Sequence, residues 1–266
     1  MKDAFTLPLR ICPKKIMKIL GCITVLLILL SLTGQIVKYQ TGHNYMFGFI
    51  PKFHLDEESN IPTCFSSLLL LISGVLLFFI ASLKRQSKDG HAAQWMVLSV
   101  IFFYLSVDES ASIHELFILP LRETLGTSGI FYFAWIIPAG VIVVILALFY
   151  LKFLFRLPRM IRYLFLTAGV LYVGGALFGE AVGGYYTDSY GQENIIYAMI
   201  TTIEESMEMV GLLVFLYALL SYVESTLASI DTCDASSRLG RDAQDMPSED
   251  QRVQAGATRR KSEGTR

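Results

Sequence analysis

Long apolar runs separated by short polar connections dominate the first 223 positions. Six of them, at about 16–37, 62–83, 94–121, 128–151, 161–185 and 194–223, reach the roughly 20 residues that a helix rising 1.5 Å per residue needs to cross bilayer hydrocarbon. The pattern predicts an all-α fold: a six-helix transmembrane bundle over 16–223, preceded by a short N-terminal segment, 1–15. From 224 to 266 Ser, Asp, Gly and Arg take over, which predicts a disordered tail. The first run follows basic residues but is too long for a signal-peptide core, and Ser31 to Gln35 offers no small-x-small cleavage site, so a retained signal anchor is expected.

Composition agrees. Of 266 residues, 53% are hydrophobic and 17% charged, against roughly 25% charged in ordinary soluble domains, which excludes a soluble enzyme. Lys and Arg (22) nearly balance Asp and Glu (23), so net charge points to no nucleic-acid partner. Their placement is more telling. All but Lys38, Lys52 and Arg122 fall at or before the start of the first span, after the second, between the fourth and fifth, or in the tail. The positive-inside rule then puts both termini in the cytoplasm, which six spans satisfy. Cys12, Cys22, Cys64 and Cys233 show no CxxC or zinc-like spacing.

Three spans carry ionisable residues deep in the apolar run: Asp108, Glu109, His114 and Glu115 in the third, Glu180 in the fifth, and Glu204, Glu205 and Glu208 in the sixth. Each mid-membrane charge costs about 2.5–3.5 kcal/mol on insertion scales, so seven uncompensated carboxyls would cost roughly 20 kcal/mol. No Lys or Arg lies deep inside these spans, and Arg122 is the nearest basic residue. Protonation, a water-filled cavity or a bound cation must compensate.

Helical spacing arranges the groups. Thr201, Glu204, Glu205, Glu208 and Gly211 form one stripe; Asp108, Ser112 and Glu115 form another. Glu109 and His114 fall off the second stripe, so an unbroken helix would turn them toward other neighbours; a kink near Ser110 to Ser112 is the alternative, which the spacing alone does not establish. Gly175, Gly179 and Gly183, at four-residue spacing, predict a close helix–helix seam beside Glu180. Asp56 and Glu58 lie in the loop before the second span, at the outer mouth of the cluster. There Ser59 or Asn60 is a natural helix N-cap and Pro62 suits the first turn.

The segment from Phe53 to Thr63 (Phe-His-Leu-Asp-Glu-Glu-Ser-Asn-Ile-Pro-Thr), with Phe65-Ser66-Ser67, Asp108-Glu109 and His114-Glu115, resembles an uncharacterised family of bacterial polytopic membrane proteins. The resemblance implies the inner membrane of a bacterium and brings no activity with it.

The chemistry leaves three classes open. Hard divalent cations take carboxylate ligands, and one imidazole among them also suits Mn, Fe or Zn; Asp108, Glu109, Glu204, Glu205 and Glu208 are the metal-binding candidates. The Glu-x-x-His pairs of bundle di-iron sites, the His-Glu-x-x-His zinc helix and the Gly-x-Ser-x-Gly elbow are all absent. The favoured class is an ion- or proton-coupled transporter. Ser106-Val107-Asp108-Glu109-Ser110 resembles Thr202-Ile203-Glu204-Glu205-Ser206 three spans on, as an inverted repeat would. The alternatives are a metal-dependent membrane enzyme acting on a lipid or isoprenoid, and an accessory protein whose acids meet a basic helix of a membrane partner or of a second copy.

Overall fold

The computed structural model describes residues 12–244, and within them every regular element is helical. The predicted N-terminal segment before residue 12 and the tail beyond 244 lie outside the described residues. By compactness the chain divides into two units, Met1–Tyr222 and Val223–Arg266; the first is the bundle.

Its elements are α1 (Pro13–Thr41), α2 (Phe49–Phe53), α3 (Ile61–Gln86), α4 (Ala92–Ala111), α5 (Ile118–Leu125), α6 (Ile136–Arg156), α7 (Arg159–Val173), α8 (Glu180–Tyr190) and the start of α9 (Ile195–Gln244). Five helical segments are long and apolar enough to cross a membrane: α1, α3, α6, the α7–α8 stretch and α9. A sixth exists if α4 and His114–Leu125, bent by 76°, form one broken span. On α6 the apolar residues Val141, Ile142, Val144, Ile145 and Leu148 are all more than half exposed. An apolar outer surface this extensive suits contact with lipid.

Three boundaries differ from expectation. The third span is not one helix: α4 stops at Ala111, Ser112 takes a left-handed conformation (φ 50°), and a 3₁₀ turn at His114–Phe117 leads into α5. The fourth span starts at Ile136, because Gly129 has a φ of +61° and its N–H donates to the Asp188 carboxylate at 3.0 Å, which holds the preceding segment in turns. After Val223 helix continues to Gln244 where disorder was expected. No Pro occurs from 224 to 244 and Gly240 is the first Gly; extending an existing helix avoids the nucleation penalty.

Two features fix the core near the site. Leu69 and Leu70 of α3 pack with Leu212, Leu216 and Leu220 of α9. The α3–α4 pair is closed by reciprocal serine bonds: Ser67 Oγ donates to the Ser106 carbonyl (2.8 Å), Ser106 Oγ to the Ser67 carbonyl (2.9 Å), and Ser99 Oγ to Gly74 (2.8 Å). Side-chain donors of this kind hold apolar helices together where burial from water gives no driving force between them.

The connection from α1 to α3 folds inward. Asn60 caps α3, accepting from the Thr63 N–H (3.1 Å), while its Nδ2 donates to the Pro51 and His54 carbonyls. Leu55 N–H donates to Ser31 Oγ on α1 (3.1 Å), which ties the loop to that helix. Asn60→Ala should therefore cost more than the about 1–2 kcal/mol of a lost cap, since two loop carbonyls also lose their donor. Thermal unfolding in detergent, with amide exchange over 49–60, checks this; unchanged protection there would show that the loop is held by other contacts.

Candidate functional site

The site begins with the break in the third span. Asp108, one turn before the end of α4, accepts from the His114 backbone N–H through Oδ1 (3.0 Å) and approaches His114 Nδ1 through Oδ2 (3.1 Å). A side-chain carboxylate thus takes the place of a helical carbonyl and fixes the ring of the residue that follows the bend. The imidazole lies against Trp135 (centroids 4.7 Å apart), and Trp135 Nε1 donates to Glu180 Oε1 (3.1 Å) on α8. The third and fifth spans are joined through this chain.

Glu58 enters from the inward-folded loop. One donor atom each from Glu58, His114 and Glu115 lies within 4.8 Å of the others. Among the described residues this is the one group of three or more such side chains close enough to share a metal ion. Glu58 Oε2 is buried without a hydrogen-bond partner, whereas Glu115 is exposed. Burial raises the Glu58 carboxyl above its usual range, with a hydrogen bond from the Ser112 side chain working against it and the Glu115 charge adding to it. Asp56 is pushed up to about 6, chiefly by burial and then by the charges of Glu115 and Glu57. His54 is driven down to about 4 by burial, with the Lys38 charge adding to it. Its 3.6 Å approach to Glu57 is therefore that of a neutral ring, not an ion pair.

Behind this mouth lie the other acids. Glu109 is an electrostatic neighbour of Glu58, His114 and Asp108; Glu205 of Glu208, Glu109, Asp56 and Glu58; Glu204 of Glu180, Glu205 and Asp56. Tyr172 of α7 is an electrostatic neighbour of Glu208, Glu109, Glu205 and Asp108. The glycine seam makes the approach possible. A Cβ on Gly179 would stand 2.8 Å from Glu204 Cβ, and one on Gly175 would stand 2.7 Å from Glu208 Cγ. Around Gly174–Gly179 the backbone widens to a π turn, a feature that recurs at functional sites.

The family described as "Domain of unknown function (DUF8692)" matches residues 20–223. The chain belongs to this family. No curated protein and no solved structure matches it. The DUF8692 match takes in the loop and every acid of the cluster and stops before the tail.

The ten residues expected at the site take different roles in the DUF8692 bundle. Asp108 orients His114. Glu58, expected at the mouth, stands with His114 and Glu115, while Asp108, Glu109, Glu204, Glu205 and Glu208 form no three-donor group of their own. The stripe of Asp108, Ser112 and Glu115 does not exist as a helix face, because the helix ends between them. Three participants escape a reading by acid content. Trp135 and Tyr172 look like ordinary span aromatics. Lys38 of α1, 3.4 Å from Glu193, contributes its charge to Asp56 and His54. Arg122 instead lies over the Tyr132 ring at 4.3 Å.

Proposed function

We propose that this chain is a cation-binding membrane protein, acting as an ion- or proton-coupled transporter in the inner membrane of a bacterium with both termini cytoplasmic. The observation that carries the reading is the Glu58, His114 and Glu115 group at the break of a membrane-crossing helix. Discontinuous helices bearing ion ligands are the recurring device of secondary transporters, and the α7–α8 span is widened where it packs against Glu204 and Glu208. A cation would leave water for the mouth ligands, and Glu109, Glu205 and Glu208 behind them would take protons or pass the charge on. Support from an inverted repeat is thinner: α4 breaks after its Asp108-Glu109 pair, while α9 runs unbroken past Glu204-Glu205.

Proteoliposomes with an internal pH dye, challenged with external Mn²⁺, Ca²⁺ or Na⁺, test this. Coupled transport predicts an internal pH change with at least one ion, reduced at least about tenfold in Glu205→Gln. Protein that still binds Mn²⁺ but moves no protons with any of the three would overturn it. One observation favours a second reading: three protein ligands leave positions open on a metal, as catalytic sites do. A metal-dependent enzyme acting on a lipid or isoprenoid would then change the membrane lipid profile on deletion, with no flux.

A further inference from the structure

The mouth group differs from the deeper acids in containing nitrogen. His114 Nδ1 faces the Asp108 carboxylate at 3.1 Å, so the neutral ring donates there and leaves the lone pair on Nε2. A carboxylate behind a histidine is the arrangement that fixes the tautomer and direction of a metal-binding imidazole. The ring is held further by Trp135 on its face and by the Asp108 bond to its own backbone N–H. Glu58 offers a buried oxygen with no partner. A cation would satisfy that oxygen.

We infer that the ion seated by Glu58, His114 and Glu115 is a first-row transition-metal dication of the Mn, Fe or Zn class, bound through His114 Nε2, and not an alkali or alkaline-earth ion. The inference rests on the reading of this group as a cation site and names the ion. Mg²⁺ and Ca²⁺ take oxygen ligands, whereas imidazole with carboxylate selects borderline metals. Around an ion with bonds of about 2.1 Å, neighbouring ligands stand about 3.0–3.5 Å apart. Donor atoms within 4.8 Å therefore need to close by about 1.5 Å, which the exposed Glu115 side chain can supply. Asp108 is a positioning residue here, holding the ring and not the metal.

The test uses the full chain, purified in detergent, stripped with chelator and dialysed to equilibrium against Mn²⁺, Zn²⁺, Mg²⁺ or Ca²⁺, with pulsed electron paramagnetic resonance on the Mn²⁺-loaded protein. The expected result is Mn²⁺ and Zn²⁺ bound at least about tenfold more tightly than Mg²⁺ and Ca²⁺, with nitrogen coupling in the Mn²⁺ spectrum. His114→Gln should abolish that coupling. Asp108→Asn should weaken binding about 10–100-fold while keeping it, a split that general loss of structure would not give. Glu115→Gln, at an exposed position, gives a ligand variant that leaves folding intact and should also weaken binding. Equal binding of Mg²⁺ and Ca²⁺ without nitrogen coupling would overturn the ion class and leave a cation site in place. Binding of none of the four would remove the cation site as well.

Discussion

Gly211→Ala is expected to be the most damaging single-methyl change in the bundle, lowering stability by about 3 kcal/mol or more. A Cβ there would stand 2.7 Å from the Tyr172 backbone nitrogen and 3.1 Å from the Ala168 carbonyl. Both obstacles are backbone, so no rotamer change relieves the clash; α9 and α7 must separate. Gly175→Ala should follow closely, because its Cβ meets the Glu204 carbonyl at 2.9 Å as well as Glu208 Cγ at 2.7 Å. Gly183→Ala meets nothing nearer than 3.7 Å, and Gly169→Ala has open space. Those two should be neutral or slightly stabilising, since Ala is the better helix former by up to about 1 kcal/mol. Thermal unfolding in detergent orders the four. If Gly211→Ala and Gly169→Ala unfold together, the seam is not a close contact in the protein. The same series reports on the acids behind the mouth, because Glu204 and Glu208 sit on the seam: Gly175→Ala should weaken proton-coupled flux and Gly183→Ala should not.

How far the sequence shows this is clearest element by element. The spans were legible because an uncharged apolar run of about 20 residues matches the thickness of bilayer hydrocarbon, a length that buried helices of soluble domains seldom reach. The gathering of the acids was legible because seven carboxyls cannot face lipid separately. The roles within the cluster were not. Whether α4 continues past Ala111 depends on whether Asp108 or a backbone carbonyl takes the His114 N–H, and both outcomes fit the same residues. The awkward positions of Glu109 and His114 on a straight helix were the one available sign of the bend. Gly175 and Gly179 revealed a seam by their spacing, but widening to a π turn is a response to what packs there. Residues 128 to 135 read as span because Ile130, Phe131, Tyr132 and Phe133 are apolar; the Asp188 carboxylate, 59 positions away from Gly129, holds them in turns. Glu58 reaches His114 and Glu115 because Asn60 bonds back to Pro51 and His54, a tertiary choice that a capping motif does not announce.

Replacing His54 should change the pH dependence of stability more than its distance from the acid cluster suggests. Burial holds its folded-state pKa at about 4 against an ordinary 6.5. Between those values the unfolded chain binds the extra proton, so stability falls as pH drops from 6.5 towards 4, by on the order of 3 kcal/mol in full. Asp56 works in the opposite direction. Its folded-state pKa of about 6 exceeds the ordinary 3.8, so the folded chain binds the extra proton and stability rises by a similar amount as pH falls from 6 towards 4. Glu58, also raised, adds to Asp56. In metal-free protein the His54 and Asp56 slopes oppose each other between pH 4 and 6.5. His54→Gln removes one slope and should make the protein more acid-tolerant than wild type over this range. Asp56→Asn removes the other and should make it more acid-labile than wild type. The double variant should return towards the wild-type profile. Unfolding midpoints across this range, with chelator present, decide the matter: parallel profiles for the two single variants would mean that the loop is not buried against the bundle, and Glu58 would then lose the contacts that bring it to His114.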